Sequence, residues 1–155
     1  LGARRACQAK MKTFFDTNVL VASCLEDHEH HGRAHALLES VLSGRDDGAT
    51  SAHALAEAYA VMTRLPRPLR VAPSVAASLL DENFVKHFEL VALTGKEYGE
   101  LIVGAGKRGL VGGLLYDALH VACAEKAQVD RLYSWNAAHL QTVASQEFRS
   151  RIMVP

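Results

Sequence analysis

Short β-prone runs alternate along this chain with longer stretches in which apolar positions recur at helical spacing, and the changes between them mark out strands and helices. Lys12 to Phe15 is a short β-prone run closed by the turn and cap residues Asp16, Thr17 and Asn18, and Val19 to Leu25 then reads as helix. A second helix fits Gly32 to Leu42, where Ala34, Leu37, Leu38 and Val41 keep helical spacing before the breaker group Gly44, Asp46, Asp47 and Gly48. Ala49 to Ser51 makes a short strand. From Ala52 to Thr63 the apolar positions Leu55, Ala58, Tyr59 and Met62 recur at helical spacing, and Pro66 and Pro68 end the pattern. Pro73 opens another helix through about Lys86, Phe88 to Ala92 is strand-like, and Thr94 with Glu97 forms a capping-box signature for the next helix. That helix ends near Gly104 to Gly109. Leu115, Ala118, Leu119, Ala122 and Cys123 line one face of a further helix, and Leu132 to Ser134 and Ile152 to Val154 supply two late strands. Short strands separated by helices predict an α/β fold, a mainly parallel central sheet of four or five short strands with helices on both faces.

Composition narrows the class. With 155 residues and 49% apolar content, the chain can build a core without disulfide or metal staples. It shows no repeat or linker long enough to divide residues 11–155, which are expected to form a single domain. Seventeen Lys plus Arg balance seventeen Asp plus Glu, so nucleic-acid binding would need a local basic patch rather than net charge. The odd set Cys7, Cys24 and Cys123 has no C-x-x-C spacing, which points to reduced thiols and a cytoplasmic location. No run reaches the ~18 apolar residues of a membrane span. Leu1 to Lys10 lacks the apolar centre of an export signal. Met11 reads as the natural start, and residues 1–10 as a flexible upstream extension or cloning remnant.

Three carboxylates stand alone in apolar surroundings. Asp16 is the only charged residue between Lys12 and Glu26 and falls where the first strand ends; Glu57 is the only one between Asp47 and Arg64; Asp117 is the only one between Arg108 and Glu125. Each has an ordinary structural explanation as a helix cap, half of an ion pair, or a first-turn acid. A carboxylate among apolar groups is nevertheless costly without a compensating cation or donors. Two like charges ~4 Å apart repel by about 4 kcal/mol at an effective dielectric near 20, so converging acids would call for a counter-ion or a shared proton. Oxygen donors select Mg²⁺ or Mn²⁺ over zinc.

These residues resemble the PIN-domain ribonucleases, specifically the VapC-type toxins of bacterial toxin–antitoxin pairs. The carriers are Phe15-Asp16-Thr17-Asn18-Val19-Leu20, Ser51-Ala52-His53-Ala54-Leu55-Ala56-Glu57-Ala58-Tyr59, Tyr116-Asp117-Ala118-Leu119-His120-Val121-Ala122 and Tyr133-Ser134-Trp135-Asn136, across about Met11 to Val154. The resemblance implies a PIN-like three-layer fold and metal-dependent hydrolysis of RNA phosphodiesters, with Asp16, Glu57 and Asp117 as catalytic, metal-binding acids for Mg²⁺ or Mn²⁺. It also implies an antitoxin partner of VapB type that covers the acidic pocket, and a homodimer. Where the family commonly adds a fourth acid, this chain has Asn136, which adds no charge and favours one well-held ion. Asn18, Ser134 and Asn136 are expected to support the acids from behind. The alternative is a PIN-like RNA-binding or protein-interaction domain with weak or lost catalysis, for which Asn136 is the main support. A phosphatase built on Asp16 fits less well, because Asn18 stands where its partner acid would be.

Other signals are weaker. Arg64, Arg67 and Arg70, around Pro66 and Pro68, are candidates to grip RNA phosphates or are simply a charged loop. The literal G-x-G-x-x-G at Gly104 to Gly109 closes a helix instead of opening one after a strand, so it reads as a connection. His31 and His35 share a helix face, but nothing nearby closes a zinc shell. His120, one turn after Asp117, reads as a hydrogen-bonded packing residue. Leu55, Tyr59, Met62, Val75, Leu79 and Leu80 form a stripe that is either dimer surface or core.

Overall fold

A computed structural model describes residues 9–155 of the chain. The strands are β1 (Lys12–Phe15), β2 (Asp47–Ser51), β3 (Phe88–Val91), β4 (Arg131–Tyr133) and β5 (Ile152–Met153). The helices are α1 (Thr17–Cys24), α2 (His31–Leu42), α3 (Ala52–Arg64), α4 (Pro73–Leu80), α5 (Gly95–Lys107), α6 (Leu114–Lys126) and α7 (Ala137–Val143). All paired strands are parallel, in the order β3-β2-β1-β4-β5, as the alternation of elements predicts.

Successive side chains of a strand point to opposite faces, and β1 shows the consequence. Phe14 packs into a core with Ala49, Leu132, Leu119 and Leu140, whereas Phe15 packs into a second core with Val19, Leu38, Met62, Phe88 and Tyr133. The sheet is therefore the middle of three layers. No helix among the described residues is long and apolar enough to cross a membrane.

The boundaries differ from the sequence reading in places that have physical causes. The first helix begins at Thr17, because Asp16 caps it by accepting from the Thr17 N–H. The helix opened by Pro73 does not run regularly to Lys86; it becomes a π-turn over Asp81–Val85, in which Lys86 N bonds Asp81 O at 3.2 Å. This turn seats the fully buried Phe84 edge-on against Phe88, with ring centroids 5.0 Å apart. Helix α7 went unpredicted, since seven residues with three buried positions are too few to display a period. The expected flexibility of residues 1–10 concerns mostly residues 1–8, which lie outside the described residues; Lys10 pairs with Asp47. The apolar stripe divides: Met62 and Leu80 are core, while Tyr59 and Val75 are exposed.

Gly48 reads as a breaker but lies inside β2. A Cβ there would stand 2.7–2.8 Å from three atoms of the Phe88 ring, and that ring is itself wedged against Phe15 and Phe84. Gly48→Ala is expected to cost about 1–3 kcal/mol by overpacking. Urea unfolding would measure it, and an unchanged midpoint would show that the ring yields freely.

Candidate functional site

The strand order reverses direction around β1: β2 and β3 lie on one side and β4 and β5 on the other. In open parallel sheets the crevice beyond the carboxyl ends at such a switch is the usual ligand site. Asp16 follows β1 directly and Ser134 follows β4 directly, so both stand at that crevice, joined through Asp16 N bonding Tyr133 O at 3.1 Å.

Asp16 is buried and firmly held. Its Oδ1 accepts from Thr17 N at 2.7 Å and its Oδ2 from Ser134 Oγ at 2.6 Å, with Asn18 Nδ2 at 3.4 Å. The fully buried Ser134 hydroxyl also accepts from Asn18 Nδ2 at 3.1 Å and from Asn136 N at 2.9 Å. With both lone pairs engaged, its hydrogen is committed to Asp16. Asn18 Oδ1 accepts from Trp135 N at 3.3 Å. Asn18, Ser134 and the Asn136 backbone thus form one network behind the carboxylate.

Glu57 comes from α3, and its carboxylate is half-exposed rather than enclosed as its apolar sequence neighbours suggest. Thr17 Oγ1 donates to its Oε2 at 2.8 Å, and His120 Nε2 lies 3.4 Å from the same oxygen. His120 and then Thr17 hold its carboxyl below the usual range against the opposing effect of burial. Asp117 is in the first turn of α6. Burial pushes its carboxyl above the ordinary range and the charge of Asp16 adds to that; the charges of His120 and His139 oppose it, and among the described residues no hydrogen bond reaches the carboxylate.

Asp16, Glu57 and Asp117 line one cavity of about 410 Å³, together with Thr17, Asn18, Asn136, His120, Tyr116 and His28. Asn136 thus reaches the cavity, while Ser134 acts from behind. Of the three arginines, Arg64 lines a recess next to Glu57. Arg70 donates to Leu65 O at 2.8 Å and lines a different recess with Cys24 and Val75. Arg67 is exposed and lines neither the carboxylate cavity nor the Arg64 recess.

Sequence reasoning undervalued His120. It is almost fully buried, bonds Ser51 Oγ through Nδ1 at 3.0 Å, and places Nε2 between Glu57 and Asp16, 3.8 Å from the latter. Its spacing from Asp117 was visible, but Ser51 and Glu57 meet it only through folding. His53 and Tyr116 were not singled out; their rings stack at 5.1 Å beside the cavity. His31 stacks on His35, and His30 on Trp135.

The donors facing the cavity are carboxylate oxygens, with two acids mutually unfavourable unless a positive charge intervenes. Among the described residues no three acid, imidazole or thiol groups stand close enough together to hold a metal ion as they are; the three carboxylates share the cavity without converging on one point. An open set of hard oxygens suits an ion such as Mg²⁺, which keeps several waters and takes one or two carboxylates plus substrate oxygens.

Comparison with known proteins agrees with this geometry. Residues 13–140 match the PIN domain family. The chain is 35% identical over 115 residues to Ribonuclease VapC27 of Mycobacterium tuberculosis, covering 74% of this chain and 78% of that protein. It is 37% identical over 105 residues to Ribonuclease VapC40 of the same species, covering 67% and 72% respectively. Its fold matches M. tuberculosis VapC20, described as a sarcin-ricin loop cleaving toxin, with TM-score 0.66 at 16% identity over 86% of this chain and 97% of that one. It also matches VapBC2 from Rickettsia felis, solved bound to a DNA fragment from its promoter, with TM-score 0.56 at 20% identity over 94% and 98%. By sequence match and by the three-layer fold alike, the chain belongs to the PIN-domain family, within its VapC-type branch.

Proposed function

We propose that this protein is a metal-dependent endoribonuclease and the toxin of a toxin–antitoxin pair. The observation that carries the reading is the meeting of Asp16, Glu57 and Asp117, which are far apart in sequence, on one cavity at the switch point of the sheet. The ribonuclease names of the two relatives support the reaction class.

Asp16, Glu57 and Asp117 would hold the ion, and Mg²⁺ or Mn²⁺ bound there would supply positive charge that acidifies water and offsets phosphate charge. The chain's own groups do the rest. The Ser134 and Thr17 bonds fix the Asp16 oxygens, so that they need not reorganise during reaction. The Thr17 hydroxyl and the His120 ring orient the Glu57 carboxylate and keep it ionised, as a ligand for a cation must be. Asn136 offers its amide to a phosphate oxygen, and Arg64 stands nearest of the arginines to pair with the RNA backbone. A VapB-type antitoxin would block the cavity with a basic side chain, and a homodimer in the cytoplasm is the expected state; the VapBC2 complex supports the partner class.

The test is cleavage of total RNA by antitoxin-free protein. Cutting is expected with Mg²⁺ or Mn²⁺, to stop with a chelator, and to be lost in Asp117→Asn. No cutting by the wild type, or equal cutting by the variant, would overturn the reading in favour of a binding domain without catalysis.

A further inference from the structure

The cavity has a second chemical character beside its acids. His53, in the first turn of α3, and Tyr116, in the first turn of α6, stack face to face with centroids 5.1 Å apart and planes 9° from parallel. Behind His53 stands His120, at 5.7 Å. The three rings form a short column that begins among the carboxylates, where His120 lies 3.4 Å from Glu57 Oε2, and ends at the cavity mouth with Tyr116.

Tyr116 is 51% exposed, although Tyr133 and all five phenylalanines are buried in the two cores, with Phe14, Phe15 and Phe84 fully so. One face of the Tyr116 ring is covered by His53, so the exposure falls on its other face and its edge. The ring is therefore held in place without being used up. A tyrosine of this kind presents a large rigid surface and loses little freedom on binding a flat partner. Unstacked nucleobases of single-stranded RNA are such partners, since every base has a π-face. Asp117 is the next residue along the chain and lines the same cavity. A nucleotide stacked on Tyr116 thereby has its phosphate beside the acids.

Resting on the nuclease reading above, we infer that the outer face of Tyr116, backed by His53, is a stacking subsite for one unpaired nucleobase next to the bond that is cut. The subsite selects single strands and loops over continuous duplex, because a paired base has both faces engaged with its neighbours. It is tolerant of base identity, because stacking reads a flat surface rather than a hydrogen-bonding edge.

The experiment uses the full chain and a short fluorescent oligoribonucleotide in chelator, where binding is read by anisotropy without cleavage. Tyr116→Ala is expected to weaken single-strand binding about ten-fold, within the range of one lost base–aromatic stack. Tyr116→Phe should keep the affinity, and Tyr116→Leu should lose it as Ala does. Moving a single abasic site along the oligonucleotide should find one position at which wild type and Tyr116→Ala bind equally. With Mg²⁺, the same Ala variant should raise KM more than it lowers kcat.

Unchanged single-strand affinity in Tyr116→Ala would overturn the subsite. So would a Phe variant as weak as Ala, which would assign the effect to the hydroxyl, or a deficit that persists at every abasic position. A wild type that cuts RNA while Tyr116→Ala keeps its KM overturns the subsite alone. A wild type that neither binds nor cuts RNA overturns the subsite and the nuclease reading together.

Discussion

Asp16→Asn is expected to cut RNA about a hundred- to a thousand-fold more slowly than the wild type, the size of losing one fixed electrostatic group at a reacting centre. It should also destabilise the fold. Asp16 Oδ1 accepts from Thr17 N, and Oδ2 accepts from a Ser134 hydroxyl whose lone pairs are already taken by Asn18 and Asn136. An asparagine must turn its Nδ2 toward one of these partners, so either orientation sets a donor against a group with nothing to accept it. In a buried site an unmade bond of this kind costs about 1–3 kcal/mol. Glu57→Gln separates the two effects. Glu57 is half-exposed, so water can satisfy the amide, and this variant should lose cutting with little loss of stability. Rates measured beside urea midpoints decide the matter. An Asp16→Asn protein that cuts normally would remove Asp16 from the chemistry, and one as stable as the wild type would show that the network behind it adapts.

Asp117→Asn is expected to behave in the opposite way, raising the melting temperature of the chelator-treated protein at pH 7. Asp117 has burial and the charge of Asp16 against its ionised form and, among the described residues, no hydrogen bond for it. The sign follows from linkage. A carboxyl whose folded pKa lies above its unfolded value binds its proton more readily in the native state, so stability falls as pH rises from the unfolded value through the folded one. Above both values the penalty is constant. Removing the charge removes the penalty, and the advantage of the variant should shrink as pH falls through the carboxylate range. A domain of this size gains roughly 2–4 °C per kcal/mol. Mg²⁺ should reverse the ranking. At about a hundred times its Kd an ion stabilises the wild type by about 2.7 kcal/mol, and the variant, short of one donor, should gain much less. A variant that melts no higher than the wild type in chelator, or an equal response of both to Mg²⁺, would sink this account.

The opposite signs of these two substitutions show where sequence reading stops. All three acids were visible as lone charges in apolar runs, and their common oddity pointed toward a shared ion. Which acid is satisfied by donors and which is not depended on partners far away in the chain. Ser134 is 118 positions from Asp16, and Thr17 is 40 from Glu57. Arg64, Arg67 and Arg70 looked equivalent in sequence, yet only Arg64 faces the recess beside Glu57, because Arg70 is turned back onto Leu65. His120 passed for a packing histidine because its partners come from β2 and α3.

The elements themselves were largely local. Short β-prone runs, helical spacings, the Thr94–Glu97 capping box and the prolines at helix ends act over a few residues, and they specify an alternating parallel α/β chain without reference to anything distant. Family membership was legible for a related reason, since short local motifs in a fixed order carry it. Long-range packing decided the rest. Gly48 lies within a strand because the Phe88 ring needs its space, the π-turn exists to seat Phe84, and α7 forms as a short segment packed on the sheet. The strand order β3-β2-β1-β4-β5 brings Asp16 and Ser134 to one crevice, and the approach of α3 and α6 completes the cavity and stacks Tyr116 on His53. A chain's periodicity is set by neighbours within a turn or two, whereas a site assembled from four separate segments exists only once burial of both faces of the sheet has fixed their relative positions.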